Sequence, residues 1–256
     1  MALDFLAHVR AESSRFGEVL RDADPSARVP TCPDWNADDL LYHLAEVFDN
    51  WTRVVRDGRP GDEIEPPERP ADHAGLVELY DQATAALLDV LETTPGDQPM
   101  WSWVADEVTV DWLPRRMAHE ALIHRLDAEL TVDALSDVDA ALATDGIPEV
   151  LYYFYGWHPA WGDVNPGPAL GRLTASDTGQ EWLVRIDTWS GQSPNTGKSY
   201  EGENFLSLVT DGEPSYFVTA TARDLDAWLW SRPQLSPPTI EGDASGLQAA
   251  VAQGLQ

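Results

Sequence analysis

Lysine and cysteine are nearly missing from this chain of 256 residues: Lys198 and Cys32 are the sole member of each type. A single cysteine excludes an internal disulfide, so no covalent staple holds the fold. No run of eighteen apolar residues occurs, which argues against a membrane-spanning helix. The opening residues, Met1 to His8, lack a basic stretch followed by an apolar one, so no secretory leader is expected there. Basic residues of any kind are scarce, 16 against 44 acidic ones, for a formal charge of −28. Such a surface repels phosphate backbones and anionic bilayers, which argues against nucleic-acid and membrane partners. The expectation is a soluble, cytoplasmic protein, a monomer or small homo-oligomer that meets small molecules.

What is present is a core. With 43% hydrophobic residues, the chain can bury one large domain or two smaller ones. The first 160 residues read as helices. Leu6, Val9, Phe16 and Leu20 recur at helical spacing and predict a helix over about 2–22. Asn36, with Asp39 three residues on, has the form of an N-cap, and Leu40, Leu44, Val47, Trp51 and Val54 make the buried stripe of a second helix. The segment Asp57 to Pro70, rich in proline, glycine and charge, reads as a surface loop. Asp72 can cap a third helix, Pro114 suits the first turn of a fourth, and another helical stretch is expected over 148–155. After Trp161 the pattern changes. Ala169 to Thr174 and Glu181 to Thr188 flank Asp177-Thr178-Gly179 as a hairpin, Ser215 to Thr221 and Thr239 to Glu241 read as strands, and Asp224 to Trp230 and Ala244 to Leu255 as helices. The order predicts an α + α/β protein: a four-helix bundle over 1–160, then a smaller mixed α/β domain over 161–256.

The chemistry concentrates in Met117-Ala118-His119-Glu120-Ala121-Leu122-Ile123-His124. On a helix Glu120 and His124 lie about 40° apart around the axis and one turn apart along it. A carboxylate and an imidazole so placed can close on one divalent metal. His43, on the apolar stripe of the second helix, is a third donor. Two readings stay open. In one, His43 is a hydrogen-bonded core histidine and Glu120 pairs with an arginine. In the other, two helices aim titratable groups into one core, where unpaired charge is costly, and hold a metal as four-helix bundles do. His119 lies about 140° from His124 and reads as structural; Asp127 can orient a ligand or pair with Arg125 or Arg115. Gly197-Lys198-Ser199 lacks the glycine four residues earlier that a phosphate loop needs, since position 192 is Gln192, and reads with Tyr200 to Asn204 as a flexible loop. Cys32, followed by Pro33, reads as an ordinary loop cysteine. Trp101, Trp103, Trp157 and Trp161 are candidates to wall a pocket.

Thr31-Cys32-Pro33-Asp34-Trp35, the helix bearing His43, and the run from Arg115 to Glu129 together resemble the mycothiol-dependent maleylpyruvate isomerase family, an actinobacterial branch of the DinB-like helix bundles. Trp228-Leu229-Trp230-Ser231-Arg232 and Ile240-Glu241-Gly242-Asp243 are similar to that family's smaller C-terminal α/β domain, of SCP2-like type. The resemblance implies that His43, Glu120 and His124 bind a divalent metal, usually zinc, and that the metal holds the sulfur of mycothiol, a low-molecular-weight thiol, as co-substrate. It implies an isomerase or transferase acting on a small electrophile, with a C-terminal arginine, Arg232 or else Arg223, holding thiol or substrate. A non-catalytic metal-binding stress protein on the same bundle, and a metal-dependent hydrolase, are the alternatives.

Overall fold

The structure, a computed structural model, describes residues 3–104, 107–232 and 236–254. The chain divides into two units, Met1–Asp137 and Val138–Gln256. The change of sequence character near Trp161 therefore falls inside the second unit, and the stretch 138–160, expected beside the bundle, packs with the sheet that follows it.

The first unit is built from α1 (Phe5–Arg21), α2 (Ala37–Asp57), α3 (His73–Thr93) and α4 (Leu113–Thr131). Each begins where local chemistry dictates. Asp4 accepts from the Ala7 amide at 3.0 Å to start α1. Asn36 and Asp39 form a reciprocal capping box at the head of α2. Asp72 caps α3 by accepting from Gly75 at 2.9 Å, and Pro114 occupies the first turn of α4, where no amide hydrogen is needed. Gly58 ends α2 at φ 64°, a left-handed conformation that costs a side-chain-bearing residue energy. α1 packs on α3 and α4, and α2 on α3 and α4. Val9, Phe16 and Leu20 meet Leu40, Leu44 and Phe48, Leu76 and Leu87, and Met117 and Leu122 in the shared core.

α4 is unusual among the four because it is buried on nearly every side, polar residues included. Its buried charges are answered in place. Arg125 donates to Glu12 at 2.7 Å, to Ser136 at 2.8 Å and to the Asp137 carbonyl at 2.7 Å, while Glu129 accepts from Arg15 at 2.8 Å. These contacts fix α4 against α1 and against the segment that follows. The loop 58–72 is also tethered, in its case to α2. Tyr42 donates to the Pro67 carbonyl at 2.8 Å, Arg53 to the Glu65 carbonyl at 2.8 Å, and Asn50 to the Gly61 carbonyl at 2.9 Å.

The second unit opens with α5 (Ala140–Glu149), capped by Asp139, which continues as a π-helical segment over Val150–Tyr155. The helix expected over 148–155 is thus the second half of a longer one. A six-stranded sheet follows: β1 (Asp163–Asn165), β2 (Leu170–Ala175), β3 (Glu181–Gln192), β4 (Ser199–Val209), β5 (Tyr216–Ala220) and β6 (Thr239–Gly242), with α6 (Ala222–Leu229) and α7 (Ser245–Gln253). β3 carries β4 along one edge and both β2 and β1 along the other; β2 pairs parallel to β5, and β5 antiparallel to β6. The expected hairpin over 169–188 is the β2–β3 pair. Two strands were not expected. β1 is three residues long. β4 takes in Tyr200 to Asn204, read from sequence as a flexible loop; it is a strand because it completes the ladder on the outer edge of β3. The expected end of the last helix at Leu255 lies outside the described residues. Among the described residues no helix is long and apolar enough to cross a membrane.

Candidate metal centre

The capping box fixes the start of α2, and the register that follows sets His43 two turns in, on the side facing α4. Glu120 and His124 project one turn apart from α4. The three side chains meet, each offering a ligand atom within 4.8 Å of the others. The two histidine Nε2 atoms are 3.1 Å apart, and Glu120 Oε1 lies 3.3 Å from His124 Nε2 and 3.7 Å from His43 Nε2. Four-coordinate zinc with bonds of about 2.0–2.1 Å has ligand–ligand edges of about 3.3–3.4 Å. The three atoms thus already lie at the spacing of one face of such a tetrahedron, and two imidazoles with one carboxylate are a donor set zinc accepts.

The surroundings bias the ligands toward that use. Asp127, fully buried, places Oδ2 3.0 Å from His124 Nδ1, and its Oδ1 accepts a 2.6 Å hydrogen bond from Thr31. The carboxylate favours a proton on Nδ1, so that once Nε2 gives up its own proton its lone pair faces His43 and Glu120. Trp35 lies against both imidazoles, its ring centroid 4.7 Å from that of His43 and 6.4 Å from that of His124. Arg116, one turn before Glu120, pairs with the Glu120 oxygen that faces away from the histidines. Burial pushes the Glu120 carboxyl up, but Arg116 and the two imidazoles outweigh it and hold the group well below the usual carboxylate range. Burial pulls His124 down, yet its bonds to Asp127 and Glu120 outweigh that and raise it to about 9. Glu120 is thus both an arginine partner and a member of the cluster, so the two sequence readings are not exclusive. A cavity of about 210 Å³ adjoins His43.

The remaining candidates fall elsewhere. His119 is buried and packs edge-on against Phe5 at 6.1 Å. His73 is within 2.6 Å of Asp38 and 3.1 Å of the Arg21 carbonyl, joining the starts of α3 and α2 to the end of α1. Cys32 sits in a turn: its carbonyl accepts from the Trp35 amide at 2.8 Å. Gly197, at φ 70°, and Lys198 turn the chain between β3 and β4 with no helix behind them, so no phosphate loop exists there. Trp101 stacks with Trp51 in the first unit, while Trp161 packs against Trp189 and Tyr200 in the second. Trp51, read from sequence as core alone, lines the cavity at His43. In the second unit Arg232 is buried and bonds the Trp230 carbonyl, and Arg223 pairs with Asp224 at 2.8 Å.

Residues 6–129 match the family described as the mycothiol maleylpyruvate isomerase N-terminal domain. Two solved structures share the fold: a mycothiol-dependent maleylpyruvate isomerase, at 12% identity, and a histidine-to-alanine mutant of a protein so described, at 13%. Each superposes with a TM-score of 0.63 over 94% of this chain and 93% of the other. No curated protein matches in sequence.

Proposed function

From the match of residues 6–129 to the family described as the mycothiol maleylpyruvate isomerase N-terminal domain, we propose that the chain is a metal-dependent enzyme using mycothiol on a small electrophile, as an isomerase or thiol transferase. The observation that carries the reading is the meeting of His43, Glu120 and His124 from two helices, with edges of 3.1, 3.3 and 3.7 Å. The donor set fits zinc. Three protein ligands leave one coordination position open, the mark of a catalytic rather than a structural site.

A bound zinc ion would supply the positive charge that lets a thiol exist as thiolate near neutral pH. The protein's own residues do the rest. His43, Glu120 and His124 would hold the ion, Asp127 keeps His124 in the tautomer that can bind it, and Arg116 keeps Glu120 ionised. Trp35 lies tilted against the imidazoles and limits their rotation. In the isomerase reaction the thiol sulfur adds to one carbon of an activated cis double bond. The remaining carbon–carbon single bond rotates, and expulsion of the same thiol restores the double bond as trans. The thiol is regenerated, so atoms balance without an oxidant. Arg232, with Arg223 in reserve, is the arginine assigned to hold thiol or substrate, because a chain of charge −28 must offset its own repulsion of an anionic ligand locally. A cytoplasmic setting, where low-molecular-weight thiols stay reduced, suits this chemistry.

The test is metal content and thiol binding measured together. Purified protein should carry about one zinc per chain and bind mycothiol in calorimetry. His124→Ala should lose both while keeping its helical circular dichroism. Zinc-loaded protein with no affinity for mycothiol sinks the thiol reading, and turnover that proceeds equally well without thiol points to a hydrolase, in which the metal activates water.

A further inference from the structure

The cavity beside His43 has a chemical character of its own. Its volume, about 210 Å³, is below the roughly 300–1,000 Å³ of a complete small-molecule site, so it holds one portion of a ligand whose reacting atom sits at the candidate metal centre. Its polar lining is Glu46, Asp49 and Asn50, with His43 at the inner end, and neither lysine nor arginine contributes to it. Asn50 donates one amide hydrogen to the Gly61 carbonyl at 2.9 Å, and its Oδ1 is an acceptor. Asp49 already accepts from Arg53 at 3.2 Å. Glu46, one turn beyond His43 on the same face of α2, is half-buried, and among the described residues its carboxylate has neither a hydrogen bond nor an ion pair. Val47, Trp51, Ile64 and Pro66 make up the apolar part of the lining.

A lining rich in carboxylate and amide acceptors, with apolar surface beside them, suits a group that donates hydrogen bonds and also has a hydrocarbon face. It opposes a carboxylate, which would meet the negative charge of Glu46, while the neighbouring Arg53 is already engaged by Asp49 at 3.2 Å. Building on the thiol-dependent reading above, we propose that this cavity is a specificity subsite for the uncharged, hydroxyl-bearing part of the thiol co-substrate, with Glu46 as its acceptor. The carboxylate of an acidic electrophile is then held away from this lining. The loop 58–72 gains a role: it carries Ile64 and Pro66, and its bonds to Tyr42, Asn50 and Arg53 keep the apolar wall in place.

Two small thiols separate the possibilities by calorimetry on the full-length, zinc-loaded protein. 1-Thioglycerol carries hydroxyls and no charge; 3-mercaptopropionate carries a carboxylate. Wild type should prefer thioglycerol. Glu46→Ala should weaken thioglycerol roughly tenfold, the worth of one hydrogen bond to a charged acceptor, and Glu46→Lys should bring mercaptopropionate level or ahead. Glu46→Gln, which keeps an acceptor oxygen and the side-chain shape, should fall between wild type and Glu46→Ala. Zinc stoichiometry and melting temperature on the same samples separate a lost subsite from a lost fold. If both thiols bind and the Glu46 variants leave their order unchanged, or wild type prefers mercaptopropionate, the subsite is refuted while thiol dependence stands. If neither thiol binds zinc-loaded wild type, both fall together.

Discussion

His124 is pulled two ways by its neighbours, and the pull can be measured. Its folded-state value of about 9 lies above the ordinary 6.5, so in the metal-free protein a proton occupies it at neutral pH. Protonated His124, bonded to Asp127 and Glu120, stabilises the metal-free fold. That contribution is fully present below about 6.5 and is lost as pH rises through about 9. Metal binding runs the other way, because the proton must leave first. Apparent zinc affinity should therefore rise about tenfold per pH unit from 6.5 toward 9, with close to one proton released per ion. Calorimetry in two buffers of different ionisation enthalpy reads that proton directly; a pH-independent affinity would show that the imidazole is not a ligand. Asp127→Asn should lower zinc affinity by roughly ten- to a hundredfold, since the amide no longer fixes the Nδ1 proton. That Glu120 and His124 share a face was legible from spacing alone, because residues four apart on a helix do so whatever surrounds them; that His43 joins them came only with the packing of α2 on α4. The bond from Thr31 to Asp127 was not, since a loop residue 96 positions away is brought there by packing rather than by local geometry.

At the scale of the element, start signals were legible and edge strands were not. Asn36 and Asp39 announce α2 because capping is a contest among neighbouring groups of one short segment. Asn36→Ala should cost about 1 kcal/mol, seen as a lower denaturation midpoint, and should loosen His43, which depends on that register. β4 escaped because its signal is broken. It is paired on one side only, Glu201 and Glu203 are exposed, Gly202 sits at φ 65°, and the ladder shifts register between Trp189 and Gly191. A bulge of this kind destroys the alternation on which strands are recognised. Gly202→Val should destabilise the second unit by about 1–2 kcal/mol and leave zinc stoichiometry intact. The pair of His73 with Asp38 tethers the start of α3 to the start of α2. Burial lowers His73, but Asp38 and the Arg21 carbonyl outweigh it and raise the group above 6.5, so this tether is present in acid and weakens as pH climbs past its folded value.

For the whole molecule, the formal charge of −28 sets conditions that no single contact can. Like charges spread over both units repel, and salt shortens their reach from about 30 Å at 0.01 M to about 10 Å at 0.1 M. The melting temperature should rise over that range in a calorimetric scan; a fall would mean that attractive pairs such as Arg21 with Asp81, at 2.9 Å, dominate the surface. The architecture, helices before a mixed sheet, was legible because hydrophobic period changes from 3.6 to 2 along the chain. The packing division between Asp137 and Val138 was not, because α5 has helical periodicity like the bundle and only its contacts with α6 assign it to the sheet.

The scarcity of lysine gives the β3–β4 turn a distinction in the laboratory. Lys198 is exposed at that turn, with its ammonium 4.7 Å above the Tyr200 ring. A protease that cuts only after lysine has one peptide bond to attack in the sequence, and it lies at the tip of a hairpin. Brief digestion should convert the chain cleanly into two fragments, 1–198 and 199–256, that stay together through the β3–β4 ladder and part only in denaturant. Amine-directed dyes used above pH 9, where lysine competes with the α-amino group, would mark the same corner as the one side-chain amine, without mutating a residue.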